Sequence, residues 1–410
     1  MLPVQSLYQT SRAKSYFSSI NMTLSMLYLF IAVNDIILIP LDVVWLKSVI
    51  LIILFFNSLV NPIFERNEYL TYIFIVGFLL LTSSAVLTIY GNNVEYALAE
   101  NLGLIVTIVV PLIVLNLINS NPVKINKIAN VFLWAIIFAT LHKIGYVVYM
   151  QGYLSIDFFD FAYKDLLGRG EVDGLDRLNT GNQLLVSFAF FMAYRFFVLN
   201  CKRRFMTFVM FVCIINIYLT ASRFFTPATF AVLSIFIIGG VKGKWVQKIT
   251  FFTILILVTY FLSYDLFSVR EASDGVDMGA YRISQSKMLF EYFLNAPFFG
   301  NGPGFAIDDL DLDKPWYFEN QFLVVFAKYG LIGFISLATL VALQFKMAKF
   351  ALSLYNYLIL IGFIFFASIF NPYLFGTYAA WSFSIALILA YLLKESNREI
   401  IISSFMVESK

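Results

Sequence analysis

Glu319, Asn320 and Gln321 open a long apolar run, directly after a stretch that holds Trp316 and Tyr317. A carboxylate and two amides at such a lip have two readings. Glu319 is either an acid in the first turn of a helix, favoured there by the helix dipole, or a general base that takes a proton from a reacting hydroxyl. The two aromatics suit the interfacial belt of a membrane protein. Three arginines offer a complementary chemistry. Arg177 precedes an apolar run in "DRLNTGNQ", Arg223 sits between two such runs in "TASRFFTP", and Arg282 opens an amphipathic stretch in "GAYRISQSKMLFEYF". A guanidinium fork matches phosphate oxygens two at a time, and Arg223 adds its charge to the positive end of the helix that follows it. Taken singly, each arginine can simply snorkel to lipid headgroups. Three on one face, each beside a polar cluster, make a clamp for a diphosphate.

Tyr281 and Asn320 flank these groups and are read as supporting residues. Lys328 falls roughly 13 Å into its apolar run at 1.5 Å per residue, so it must face protein or water. It either pairs with an acid or touches phosphate. The cluster "GNGPG", Gly300 to Gly304, looks like a phosphate cradle. It lacks the Lys-Ser/Thr of a P-loop, and Pro303 removes a backbone donor. It reads better as a turn that brings the chain back to the membrane surface. Gly330 and Gly333 in "YGLIGF" read as close-packing positions. "DDLDLD", Asp308 to Asp313, lacks the glycine and closing glutamate of a calcium loop and reads as solvated. His142 belongs to a span end or the core, and Arg195 snorkels near one. The two cysteines, Cys201 and Cys213, lie about 18 Å apart along a helix, too far to bridge. One histidine and two separated cysteines make no zinc constellation.

The elements that must position these groups follow from composition. The chain has 410 residues, 60% hydrophobic and only 13% charged, with a mean hydropathy of +0.83. Soluble domains carry about 25% charged residues, so this chain cannot cover a globular surface. Its net charge of +3, with no basic run interleaved with aromatics, gives no reason to expect a nucleic-acid partner. About twelve runs are long enough to span a bilayer, near 19–41, 44–63, 69–90, 97–118, 128–150, 180–199, 205–221, 223–240, 246–264, 319–343, 351–370 and 374–393. Asn34 and Asp35 interrupt the first. Nearly every short loop on one side is basic, which places that side and the N-terminus in the cytoplasm. Lys143 then counts among the external cations, and Lys328 is the one deep charge. No cleavable signal stands out, so the first apolar run is expected to direct targeting. Most acidic residues fall in two long external loops, 151–179 and 265–318. The expected fold is an all-α polytopic membrane protein, a single integral domain over 1–410, with two long periplasmic loops and a short amphipathic helix.

The order of these features resembles a known family. Ser222-Arg223 lies at a span junction, and Tyr281-Arg282 precedes an amphipathic stretch. Gly300, Gly302 and Gly304 follow, then Glu319-Asn320 at a helix start, and then Tyr329 to Gly333. Over about 177–393 this resembles the O-antigen polymerase and O-antigen ligase superfamily. The resemblance implies a metal-independent glycosyltransferase of the bacterial inner membrane, without a cofactor. It would act at the periplasmic face on undecaprenyl-diphosphate-linked oligosaccharide. The family's arginines map onto Arg223 and Arg282. Its ligases typically carry His-Asn where this chain carries Glu319-Asn320, a departure that leans towards a polymerase.

The expectation is therefore an O-antigen polymerase. Glu319 is its catalytic base, and Arg223, Arg282 and Arg177 hold the diphosphate. Tyr281, Asn320 and Lys328 support them, and a chain-length regulator is a possible partner. The alternatives are an O-antigen ligase and a lipid-linked oligosaccharide flippase or other transporter. A transporter should show charges at the membrane midplane, broken helices and repeat symmetry.

Overall fold

The computed structural model describes residues 4–38, 44–60, 66–120, 125–153, 168–172, 175–178, 182–198, 203–220, 224–240, 249–250, 253, 278–307, 318–348, 353–370 and 373–408. Within them the chain is helical and polytopic. Its helices are α1 (Val4–Val33), α2 (Asp35–Leu38), α3 (Val44–Val60), α4 (Arg66–Tyr90), α5 (Val94–Ser120), α6 (Ile125–Met150), α7 (Gln183–Val198), α8 (Arg203–Leu219), α9 (Phe225–Gly240), α10 (Met278–Asn295), α11 (Gln321–Met347), α12 (Leu354–Phe370) and α13 (Thr377–Glu408). Each expected span carries a helix except 246–264, most of which lies outside the described residues. Among the described residues, five helices are long and apolar enough to cross a membrane, those at Asn67–Tyr90, Val94–Ile118, Ile125–Tyr149, Gln321–Met347 and Thr377–Lys394.

The centre is made by helices that are apolar on every side, the pattern expected of a buried helix. Leu184 to Tyr194 of α7 are all buried, as are Ala379 to Ala390 of α13 and Val109 to Ile118 of α5. α13 packs on α5 and α7, α7 packs on α8, and α1 packs on α3 and α6. Rings fill the gaps between them. Phe188 and Phe191 both pack edge-to-face with Phe363, at 5.7 and 5.6 Å between centroids.

The polar interruption in the first span splits it without cancelling it. α1 stops at Val33, and the Asn34 side chain donates to the Phe30 carbonyl at 2.9 Å and the Ala135 carbonyl at 3.4 Å. Asp35 starts α2, accepting from Lys47 at 3.0 Å and from the Tyr378 hydroxyl at 2.6 Å. An intramembrane break thus finds its partners on α3, α6 and α13, as buried backbone and side-chain polar groups require.

Two features depart from expectation. The loop 151–179 contains an antiparallel hairpin, β1 (Gly168–Val172) with β2 (Leu175–Leu178), which the expectation did not include, while every other described element is a helix, as expected. Asp173-Gly174 between the strands is the strongest short hairpin signal in a sequence, and it marks the site. Second, Lys143 is no external loop residue. It lies inside α6 at 0% exposure, where its ammonium donates to Asn216 Oδ1 of α8 at 3.0 Å. Asn216 in turn donates to Thr140 Oγ1 at 2.7 Å. Charge counting on loops misses it because the apolar run ends only seven residues later. Lys328 is therefore not alone at depth.

Candidate functional site

α10 presents one helical face to the start of α11. Arg282, Gln285, Ser286 and Leu289 fall at i, i+3, i+4 and i+7, the spacing that aligns side chains along a helix. Each meets α11 or its approach. Arg282 forms an ion pair with the Glu319 carboxylate through Nε. Gln285 Oε1 accepts from the Glu319 backbone N–H at 2.9 Å. Ser286 lies 3.4 Å from the Asn320 side-chain amide. Leu289, fully buried, joins Phe305, Ile307, Phe318, Val324 and Ala327 in a small core of their own. The Arg282 and Glu319 side chains keep 39% and 28% of their surface, enough to meet a ligand.

Asn320 caps α11. Its Oδ1 accepts from the Leu323 N–H at 3.2 Å, the standard use of a side-chain oxygen for an orphan donor at a helix start. Glu319 therefore stands just outside the first turn, where the helix dipole favours an anion and α10 supplies a cation. The outer side of α10 exposes Ile283, Phe290 and Leu294 with Lys287 among them, and Phe298 and Phe299 follow in the next turn. That pattern suits a helix lying in a membrane interface.

Beneath the pair, α11 is broken. Gly330 has φ 64° and ψ −167°, a conformation essentially reserved for glycine. The break frees backbone groups that a continuous helix would satisfy, and the glycine cluster satisfies them instead. Asn301 and Gly302 N–H donate to the Ala327 and Lys328 carbonyls at 2.8 and 2.9 Å. Leu331 and Ile332 N–H donate to the Pro297 and Phe298 carbonyls at 2.9 and 3.1 Å. The cluster is thus a wedge seated in a helix break, which is more than a surface turn. Its three glycines all have positive φ, and each fits against a different neighbour. A Cβ on Gly300 would sit 2.4 Å from the Lys328 carbonyl, one on Gly302 2.8 Å from Val86, and one on Gly304 2.3 Å from the Asn93 carbonyl. Asn92, at the α4–α5 corner, donates to the Asn301 and Pro303 carbonyls at 2.7 and 3.1 Å.

Lys328 is buried at 1% exposure and paired with Glu100 of α5. Of the two readings that the sequence leaves open, the structure holds it against an acid. The other Glu100 oxygen accepts from Gly304 N–H at 2.8 Å, and the Lys328 ammonium lies 5.1 Å from the centre of the Phe318 ring, a cation–π distance.

So Arg282, Glu319 and Asn320 come together, with Lys328 behind them. Tyr281 is in α10 and Arg177 in β2, but their side chains lie outside the described residues, as does Arg223 altogether. Gln285, Asn301 and Glu100 are the participants that residue patterns miss. Of these only Glu100 leaves a signal, an acid inside an apolar run.

Below Phe322, an apolar cavity of about 480 Å³ runs between α5, α11, α12 and α13. Its wall includes Phe322 and Val325 of α11 before the break at Gly330, and Phe334, Leu337, Val341 and Gln344 after it.

Residues 208–338 match the family model described as O-antigen ligase. The match covers α8 to most of α11 and takes in Arg223, Arg282 and Glu319. It agrees with the resemblance to the polymerase and ligase superfamily and supports an O-antigen-related membrane enzyme. It does not separate polymerase from ligase. No curated protein matches the chain, and no solved structure does either.

Proposed function

We propose that the chain is a surface-polysaccharide polymerase of the bacterial inner membrane, with its site facing the periplasm. The growing glycan on undecaprenyl diphosphate is the donor, and the next lipid-linked repeat unit is the acceptor. An acceptor hydroxyl oxygen bonds to the donor's anomeric carbon and gives its proton to Glu319. The bond from that carbon to the diphosphate oxygen breaks, and undecaprenyl diphosphate leaves with the electron pair. Arg282, with Arg223 and Arg177, neutralises the charge that develops there. The observation that carries this reading is the contact between a half-exposed arginine and a half-exposed glutamate at the outer end of a broken helix. The cavity along that helix supports a long lipid tail.

The contact also orders the reaction. In the free site Arg282 holds Glu319. A diphosphate competes for the same guanidinium, and the carboxylate it displaces becomes free to accept a proton. The base is unmasked once the donor is seated.

Alanine at Arg223, Arg282 or Glu319 should leave a well-expressed protein that yields only single-repeat lipopolysaccharide on a gel. A full ladder of chain lengths from all three variants would sink the assignment. The ligase reading is favoured by the description of the matching family. It predicts activity that requires lipid A–core as acceptor, whereas a polymerase extends lipid-linked repeats without it. Extension by purified protein in detergent also excludes transport as the main activity. A chain-length regulator would act on the polymer this site makes.

A further inference from the structure

Glu100 is far from the site in sequence and absent from the matching segment, yet one carboxylate joins both arms that build it. Oε2 accepts from Gly304 N–H, at the end of the wedge that continues from α10 and hence from Arg282. Oε1 takes the Lys328 ammonium, which belongs to the helix that Glu319 precedes and which also faces the Phe318 ring. Both arms have glycine backbone with positive φ, at Gly300, Gly302 and Gly304 on one and Gly330 on the other. Such backbone needs an external anchor if two side chains are to stay in register. α5, buried along most of its span, supplies that anchor.

We propose that Glu100 is a positioning residue of the site: by holding Gly304 and Lys328 together it sets how Arg282 lies against Glu319, although it touches neither. The proposal rests on the reading of Arg282 and Glu319 given above. A buried ion pair that only satisfied itself would involve Lys328 alone. The bond to Gly304 ties the wedge as well.

Two double variants separate these roles, because each removes both charges and leaves no lone buried ion. In E100Q/K328M the amide oxygen still accepts from Gly304 N–H. In E100M/K328M nothing does. The full chain in lipid nanodiscs is assayed with undecaprenyl-diphosphate-linked repeat units extracted from cells lacking it. E100Q/K328M, which loses the Lys328 tie and keeps the one to Gly304, should lose about three- to tenfold in kcat, and E100M/K328M, which loses both, about thirtyfold or more, each with donor KM within about twofold, as expected for misplacement by a fraction of an ångström. Amide exchange at Gly302 and Gly304 should quicken in E100M/K328M alone. Equal turnover by the two variants overturns the proposal. If E100M/K328M does not accumulate, Glu100→Asp replaces it. Its carboxylate is one methylene shorter and cannot reach both Gly304 N–H and the Lys328 ammonium where they stand, so kcat should fall in the same way, and parental kcat overturns the proposal. R282A and E319Q are run in parallel. Full activity in both refutes the site itself and this inference with it. Inactivity of both beside a fully active E100M/K328M leaves the site standing and removes Glu100 from it.

Discussion

At the scale of residues, the Arg282–Glu319 pair makes a prediction that separates binding from catalysis. Glu319→Gln removes the internal competitor for the guanidinium. It should therefore abolish polymer yet bind inorganic pyrophosphate about three- to tenfold more tightly, a gain of up to about 1.4 kcal/mol measurable by calorimetry. Arg282→Ala should cancel that gain. Lys143 invites a second test. Asn216→Leu takes away the carbonyl that its ammonium meets and should cost about 3 kcal/mol of stability, read as a lower midpoint of thermal unfolding. Adding Lys143→Met should recover most of it. Glu319 and Arg282 were each legible in the sequence as candidates, a carboxylate at a helix start and an arginine opening an amphipathic stretch, but their contact with one another was not. Lys143 was not, since an ammonium near the end of an apolar run looks the same whether it leaves the membrane or turns inward to an asparagine 73 residues away.

At the scale of elements, the pairing of α11 with the glycine wedge sets what each glycine tolerates. Gly300→Ala places a methyl 2.4 Å from the Lys328 carbonyl on a backbone of φ +71°. Gly330→Ala meets the Phe298 carbonyl at 2.3 Å with φ +64°. Each should lose at least about 2 kcal/mol and show a lower unfolding midpoint. Gly77→Ala in α4, where nothing lies within 4 Å, should change little. The helices themselves follow from hydrophobic run length and little else. The break in α11 does not. "YGLIG" reads as two packing positions in a continuous helix, and one of them, Gly333, is helical. What turns Gly330 into a break is a partner from thirty residues upstream, and local sequence carries no trace of that partnership.

At the scale of the whole molecule, the cavity beside α11 begins at Phe322, three residues beyond Glu319, and lies between α5, α11, α12 and α13. Gly362 lines it, and a Cβ added there meets no atom within 4 Å, so Gly362→Leu starts from open space and should place its branch in the cavity. The expected result is a several-fold rise in KM for an undecaprenyl-linked donor with kcat little changed, and no rise for a donor on a short polyprenyl chain. Equal effects on both donors would mean that the cavity holds no tail. Composition foretold a helical polytopic membrane protein, because apolar length leaves few alternatives, while five of the described helices are long and apolar enough to cross. It could not foretell which helices stand at the centre or where a cavity opens, since those depend on side-chain volumes brought together from four distant segments.

The exchange of hydrogen bonds between Pro297–Gly302 and Ala327–Ile332 also bears on how the protein is made. Released alone into lipid, α11 would expose carbonyls and amides with no water to satisfy them. The segment that satisfies them has already been synthesised when α11 emerges from the ribosome. Insertion is therefore expected to be a joint event, in which the translocating machinery keeps the earlier segment close until the later one arrives. Biogenesis of this region would then depend on the order of synthesis as well as on hydrophobicity.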